Sequence, residues 1–255
     1  MWGKDLNLRP LGYEPNEVRC FSNPDYRPDR HFNSDGCEML EIIFQLPAPL
    51  TQSEPSREFI QVIDGEIRDS ESNVVIGRIS SSLVQVGRVA DAGEDLFDVM
   101  DGQSCEMAEY HAALFKPKYW DYNDRIRSQF PDIVSLDLLI LERAEIQPAF
   151  RKQGIGLLAV CRTIDVFGAN CGLVVMKPFP LQFRNYLEAG WREPDGVANA
   201  TGEFRTARQK LRRYWARAGF KRVNETDYWA LCPGRKRPSL NSIALAIDET
   251  CVLGE

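Results

Sequence analysis

The sequence lacks the features that define several classes of protein. No run among its 255 residues approaches the roughly 18–20 consecutive apolar residues that a membrane-spanning helix needs. The segment "MWGKDLNLRP" has neither an apolar core nor a small-residue cleavage site, so we expect no signal peptide and no membrane partner. With 44% hydrophobic and 27% charged residues, the composition is that of an ordinary globular protein.

Metal ligands and paired cysteines are also scarce. The two histidines, His31 and His111, are far apart in the sequence, and the 7 cysteines include no CxxC pair. An odd number of scattered cysteines argues against a disulfide framework and against a zinc site. We therefore expect a reduced, cytoplasmic protein that uses no metal.

The distribution of charge is uneven. A net charge of −6 argues against nucleic acid as a partner of the whole chain. The segment from Arg205 to Arg222 nevertheless contains no acidic residue. Its basic residues are Arg205, Arg208, Lys210, Arg212, Arg213, Arg217, Lys221 and Arg222.

The pattern along the chain predicts three regions. Residues 1–38 are rich in Asn, Pro, Asp and Arg and show no periodicity, which predicts a poorly ordered N-terminal extension. Residues 39–234 carry the periodic segments and are expected to form one domain. Residues 235–255 form a tail whose apolar centre is ambiguous.

The periodic segments predict an α+β domain with a central mixed sheet flanked by helices. Three segments rich in Ile, Val and Phe, at 39–46, 57–67 and 73–89, predict an antiparallel meander. Helices are predicted in 104–115, in 119–130, from 154 to 168 and from 204 to 218. The remaining predicted strands are 133–146, 171–177, 220–223 and 227–232.

The stretch "QPAFRKQGIG", residues 147–156, places glycines and two cations between a predicted strand and a predicted helix. One interpretation is a turn that binds nothing. A second is a dinucleotide fingerprint, because Gly154, Gly156 and Ala159 fit G-x-G-x-x-G/A. The context contradicts the fingerprint, since the strand does not lead directly to the first glycine and Lys177 lies where an acidic residue is expected. No G-x-x-x-x-G-K-[ST] motif is present.

The third interpretation is a family resemblance. Arg151, Gly154 and Gly156 fill the pattern [QR]-x-x-G-x-[GA], and Ile146 and Pro148 precede it. Further on, "YWARAGFKRV" places aromatic residues a few positions before Gly219 and Phe220. These segments resemble the two signatures of the GNAT superfamily of N-acetyltransferases, and the resemblance covers roughly residues 40–233.

The resemblance implies a GNAT-like sheet with a splayed strand pair at the coenzyme site and acetyl-CoA as co-substrate. It also implies that the pyrophosphate lies at the start of the helix, where N–H groups are unpaired and the dipole is positive. Glycines there leave room for phosphate oxygens. The implied coenzyme-binding residues are Ile146, Arg151, Lys152, Gln153, Gly154, Ile155 and Gly156.

The implied reaction is acetyl transfer to a primary amine of a small molecule or a protein, by direct attack on the thioester. An amine with a pKa of about 10.4 must lose a proton, at a cost of roughly 4–5 kcal/mol at pH 7, whereas a thiolate leaving group needs only about 2 kcal/mol. A base therefore matters more than an acid. Glu142 is the candidate base, with Ile140, Ala144 and Ile146 expected on its face, and a salt bridge is its structural alternative. Glu145 takes the role if a bulge changes the register.

The general acid of the family is a tyrosine four residues before the glycine of Gly-Phe. Trp215 occupies that position here, and Tyr214 is one residue away. Tyr214 is therefore either the acid or a packing residue. The displaced tyrosine keeps a second function open, a non-catalytic acyl-CoA-binding regulatory module.

The basic segment has three interpretations. Its stripes are solvated flanks of a helix, or they contact the 3′-phosphate of coenzyme A, or they bind an acidic partner. The last interpretation corresponds to a third function, an RNA-directed acetyltransferase.

Overall fold

The computed structural model describes residues 40–47, 55–180 and 202–238. The predicted N-terminal extension, most of the predicted tail and the segment 181–201 lie outside these residues. The first residues of the tail are described. Arg235 pairs with Asp132, and Arg237 Nη2 lies 2.5 Å from Asp165 Oδ1 on a helix of the domain.

The described strands form one mixed sheet in the order β1-β2-β3-β4-β5-β7-β6. Only β4 and β5 are parallel, because a helix connects them, and the other neighbours are antiparallel. The strands are β1 Leu40–Gln45, β2 Ile60–Asp69, β3 Val75–Val84, β4 Leu138–Ile146, β5 Leu173–Met176, β6 Lys221–Arg222 and β7 Trp229–Leu231. The predicted α+β arrangement around a mixed sheet is thereby confirmed.

Helices cover both faces of this sheet. They are α1 Pro55–Phe59, α2 Val86–Ala92, α3 Leu96–Gln103, α4 Cys105–Leu114, α5 Asp124–Gln129, α6 Ile155–Phe167 and α7 Gly202–Ala216, with a 3-10 turn at Pro148–Phe150. The predicted helices at 104–115, 154–168 and 204–218 are confirmed with small shifts of their ends.

Three predicted strands are too long, because residues 133–137 of the predicted strand 133–146 also lie outside β4, and α3 was not predicted. The predicted helix 119–130 is reduced to α5. The segment 73–89 leaves the sheet at Val84, and Val86 and Val89 are buried one helical turn apart in α2. A left-handed Gly93, with a φ of 73°, ends α2 by donating its N–H to Ala90 O. Asp95 then caps α3 by accepting a hydrogen bond from Phe97 N. Similarly, residues 57–59 of the predicted strand 57–67 belong to α1.

Alternation along the strands divides the core into two layers. Leu138 and Ile140 of β4 pack with the apolar residues of α1 to α5. Leu139 and Leu141 face the opposite way and pack against α6 and α7. The sheet therefore separates a first face, covered by α1–α5, from a second face, covered by α6 and α7.

Candidate functional site

The sheet opens between its two parallel strands. β4 pairs with β5 from Leu138↔Leu173 to Leu141↔Met176 and then continues to Ile146 along β3, without β5. In the described ranges, no strand pairs with this end of β4 on its β5 side. We call this opening, bounded by Leu141 and Met176, the fork. An unpaired strand edge offers backbone donors and acceptors to an extended ligand.

A β-bulge lies in β4 at the fork. Ser80 pairs with Arg143 while Ser81 pairs with Leu141, so Glu142 is an extra residue in β4. The extra residue reverses the alternation beyond it. Ala144 consequently packs on the second face, although Ile140 lies on the first. The expected grouping of Ile140, Glu142, Ala144 and Ile146 on one face is therefore wrong. The same reversal brings Glu145 onto the first face, the condition under which it was expected to act as the base, but Glu145 is paired there with Arg143 at 2.5 Å, whereas Glu142 forms no ion pair with a described residue.

Glu142 lies in a crevice on the first face. Its side chain is exposed, yet enough protein surrounds it for burial to raise the pKa of its carboxyl. The charges of Glu106 on α4 and Asp64 on β2 raise this pKa further. The hydroxyl of Ser82 opposes the shift by donating to Glu142 Oε1 at 2.5 Å. The result is a carboxylate that holds a proton more readily than an ordinary glutamate.

Two tyrosines and a lysine line the same region. The ring of Tyr110 lies 4.8 Å from that of Tyr228, and burial raises the pKa of Tyr110 well above its usual value. Lys177 follows β5 directly, with its Nζ 3.5 Å from Glu109 Oε2 and 5.9 Å from the centre of the Tyr228 ring. None of these three residues was predicted to lie at the site. A charged residue at the carboxyl end of a parallel strand is the signal that identifies Lys177.

The turn between β4 and α6, residues 151–156, presents unpaired backbone donors. Lys152 and Gly154 are left-handed, with φ values of 68° and 73°, and no side chain caps α6 at Gly154. Within the part of the chain that the structure describes, the N–H groups of residues 152–156 have no acceptor. Consecutive free N–H groups in such a turn, at the positive end of a helix dipole, favour an anion.

The side chains of the turn differ in their contacts and in their exposure. Arg151 Nε donates to Ile146 O at 2.9 Å, which ties the turn back to the end of β4. Ile155 packs in the core, and Gly154 and Gly156 are buried with it, so Arg151 and Lys152 are the exposed residues of the turn. The Lys152 side chain is exposed, and Gln153 Oε1 is buried with no described donor.

Tyr214 of α7 is attached to this turn. Its hydroxyl accepts a hydrogen bond from Leu157 N at 2.7 Å and lies 3.4 Å from Gly154 O, to which it donates. A Cβ added at Gly156 would lie 3.4 Å from the same hydroxyl, so Gly156 makes room for Tyr214. Burial raises the pKa of Tyr214 to about 12, so the phenol is protonated at neutral pH.

Trp215 cannot replace the tyrosine in a proton transfer. Its side chain is 8% exposed and belongs to the core between the sheet and α6. The indole packs edge-on against the Tyr214 ring at 4.8 Å. Because the tyrosine lies one residue before the position that the family pattern gives it, Trp215 lies in the core and the Tyr214 hydroxyl is bonded to the start of α6.

Two of the described thiols are unreactive, and the described residues contain no metal-binding group. Burial raises the pKa of Cys161 to about 11 and that of Cys171 to about 12, so both thiols stay protonated and unreactive. No group of three His, Cys, Asp or Glu side chains in the described ranges could hold a metal ion. None of the helices described here is long and apolar enough to cross a membrane.

Comparison with models of protein families, with curated proteins and with solved structures finds no match. The geometry of the fork, the Glu142 crevice and the β4–α6 turn is therefore the basis for assigning a function.

Proposed function

We propose that the protein is a GNAT-type N-acetyltransferase that transfers the acetyl group of acetyl-CoA to a primary amine. One observation carries the proposal. The N–H groups of residues 152–156, which have no acceptor among the described residues, lie a few residues beyond the end of β4, and that end has no described partner on its β5 side. An anion-binding turn beside an open strand edge suits a ligand that joins a pyrophosphate to an arm of amides.

The coenzyme would bind in two parts. Its pyrophosphate would take the N–H groups of the β4–α6 turn, where Gly154 has the left-handed conformation that other residues adopt at a cost of about 1–2 kcal/mol. Its pantetheine arm would run along β4 towards the fork. Ile146 O is already bonded to Arg151, so the remaining backbone groups between Glu142 and Glu145 would receive the arm.

The acceptor amine would bind in the Glu142 crevice. Glu142, Glu106 and Asp64 together favour a cationic ammonium group over a neutral or anionic one. Before attack on the thioester, the ammonium must lose a proton, and Glu142 is the nearest candidate base at the fork. Its raised pKa brings its proton affinity closer to that of the amine.

The leaving thiolate requires less help. The Tyr214 hydroxyl is engaged with Leu157 and Gly154, so it has no proton free for the thiolate in this conformation. We propose that the thiolate leaves without a tyrosine acid, since its protonation contributes only about 2 kcal/mol at neutral pH.

The engaged tyrosine also favours a second candidate function, a regulatory module that binds acyl-CoA without turnover. A thiol-release assay with acetyl-CoA and a panel of primary amines, beside calorimetric binding of acetyl-CoA, separates the two candidates. We expect both binding and amine-dependent release. Binding without release would favour the regulatory module, and absence of binding would contradict both.

Two variants of β4 test the base. Glu142→Gln should lower the rate of release by about 100-fold or more with little change in acetyl-CoA affinity. Glu145→Gln is the matched control, because Glu145 lies on the same strand but pairs with Arg143 at 2.5 Å. If only Glu145→Gln lost activity, the base would be Glu145, and equal activity of both variants would leave no glutamate base on β4.

A further inference from the structure

A small cavity lies among the helices of the first face, apart from the Glu142 crevice. It has a volume of about 130 Å³ and is lined by residues 93–96 at the junction of α2 and α3, by His111 of α4 and by residues 118–120. His111 lies in the last turn of α4, about 7.5 Å along the helix from Glu106, whose charge acts on Glu142. The cavity is therefore at the end of α4 that is further from Glu142, and we call it the His111 cavity.

His111 is a buried polar group that lacks a hydrogen bond. The residue is only 5% exposed, with Phe115 stacked on its ring at 5.7 Å and Phe97 packed edge-on at 5.5 Å. None of the described residues forms a hydrogen bond with its ring nitrogens. Burial lowers the pKa of His111, against the charge of Asp95, so the imidazole is neutral at neutral pH and one nitrogen is free to accept a hydrogen bond. Because buried polar groups in folded proteins are generally bonded, a donor from a ligand would fill this position.

Two exposed aromatic side chains form part of the same lining. Tyr119 is 65% exposed and Trp120 is 37% exposed, which is unusual for rings of this size. The indole of Trp120 is held in place, because its Nε1 donates to Glu94 O at 2.8 Å. This bond ties the loop that carries both rings to the turn between α2 and α3. A ring fixed in this way offers its face to a cation at little cost in conformational entropy.

The charge around the His111 cavity is negative. Its lining carries the exposed carboxylates of Glu94 and Asp95 and one ammonium, that of Lys118, while the imidazole is neutral. Three further exposed carboxylates lie on α2 and α3, those of Asp91, Asp98 and Asp101. None of these five acidic side chains forms an ion pair with a described residue. The field of these carboxylates therefore favours a cationic ligand over an anionic one.

We propose that the His111 cavity binds the side chain of an arginine in a partner protein. A guanidinium group is planar, so it stacks on an aromatic ring, and its N–H groups supply donors to His111 and to the carboxylates of the lining. A lysine ammonium has no flat face, and a quaternary ammonium has no N–H donor for the imidazole. The volume of the cavity is comparable to that of a cavity that holds one benzene molecule, which suits a single guanidinium group. This inference is independent of the proposed acetyl transfer.

The acidic surroundings favour an arginine within a chain over the free amino acid. The cavity has room for the end of the side chain, so the backbone of the ligand would lie at its mouth, among the exposed carboxylates of Glu94, Asp91 and Asp98. Free arginine carries an α-carboxylate that these groups would repel. A peptide has an amide in the same place and avoids the repulsion.

NMR titration of the full chain with the blocked peptide acetyl-Gly-Arg-Gly-amide tests the proposal. One stacked, hydrogen-bonded guanidinium should give a dissociation constant of roughly 1–10 mM. The citrulline counterpart keeps the planar shape without the charge and should bind at least about tenfold more weakly. The ring-nitrogen signal of His111, one of two histidines in the chain, should shift on binding. Free arginine and the lysine and trimethyl-lysine peptides should all bind more weakly than the arginine peptide.

Two double variants with the same change of net charge locate the site. Glu94→Gln/Asp95→Asn should weaken binding of the arginine peptide at least about tenfold, and asparagine at position 95 can still cap α3. Asp98→Asn/Asp101→Asn is the matched control, because both residues are exposed on α3 but outside the lining. This control should stay within about threefold of the wild type.

Four outcomes would overturn the proposal. They are absence of binding, equal binding of the arginine and citrulline peptides, an equal loss in the two double variants, and tighter binding of free arginine or of the trimethyl-lysine peptide. The last would identify the ligand as a free amino acid or as a methylated ammonium. None of these outcomes bears on thiol release from acetyl-CoA, which tests the proposed function separately.

Discussion

A single inserted residue determines the chemistry available at the fork. Without the bulge, Glu142 would be an ordinary member of the β3–β4 ladder, and Ala144 and Ile146 would lie on the first face. With the bulge, Glu142 stays on the first face with Ile140 and accepts a hydrogen bond from Ser82, whereas Ala144 lies on the second face. Burial and then the charges of Glu106 and Asp64 raise the pKa of the Glu142 carboxyl.

Glu142→Gln should change how stability depends on pH. Because the folded-state pKa of Glu142 is raised, its protonation stabilises the fold below the ordinary glutamate pKa, and this contribution is lost as pH rises through the raised value. Glutamine is neutral at every pH and can still accept the Ser82 hydrogen bond. Relative to wild type, the variant should therefore gain free energy of unfolding as the pH rises above the ordinary glutamate pKa, measured in urea titrations.

Glu145→Gln provides the comparison for that measurement, because it removes a carboxylate that is paired with Arg143. It should show no such gain at higher pH. If Glu142→Gln followed the wild-type pH profile throughout, Glu142 would be solvated like a surface residue, and its assignment as a tuned base would be wrong.

Among the secondary-structure elements, the contact between α6 and α7 matters most for the site. One hydroxyl joins them, because Tyr214 bonds both Leu157 N and Gly154 O. Asp227, in the loop before β7, binds Arg208 and Arg212 of α7.

Tyr214→Phe should lower the free energy of unfolding by only about 1 kcal/mol. The loss is modest because Leu157 N retains a second acceptor, Gly154 O at 2.9 Å. Tyr119→Phe, at a side chain that is 65% exposed, is the control and should have no effect. In the thiol-release assay, Tyr214→Phe should keep its rate within a few fold. A loss of 100-fold or more at unchanged stability would restore Tyr214 as the general acid.

The sequence predicted the presence of helices and strands better than the residues at which they begin and end. Strongly periodic segments such as α4, α6 and β4 lie where the pattern put them. The helix α2 was missed because "VQVGRVA" fits both alternation and a helical stripe, and only the left-handed Gly93 decides between them. The bulge depends on which β3 residue faces which β4 residue. The Ser82–Glu142 bond joins positions 60 residues apart, and no local pattern contains that information.

At the scale of the whole molecule, the sheet separates two chemically different regions. An acidic crevice around Glu142 lies on the face covered by α1–α5, whereas the anion-accepting turn begins α6, which covers the other face. β4 takes part in both regions, and the sheet is open beside it at the fork. Under the proposed function, coenzyme and amine approach from opposite faces and meet there.

This account depends on the β4–α6 turn binding the diphosphate of the coenzyme, and calorimetric titration of acetyl-CoA into Gly154→Glu tests it most directly. Gly93→Glu controls for the backbone cost, because Gly93 has the same φ of 73° at the end of α2, although Gly93 is exposed and Gly154 is buried. Both variants incur a similar backbone cost of about 1–2 kcal/mol, but only one places a carboxylate against the bound anion.

We predict that Gly93→Glu keeps the wild-type affinity and that Gly154→Glu loses at least about 100-fold, since juxtaposed like charges cost several kcal/mol. Circular dichroism would verify that both variants are folded. Unchanged affinity for acetyl-CoA in a folded Gly154→Glu would contradict the account.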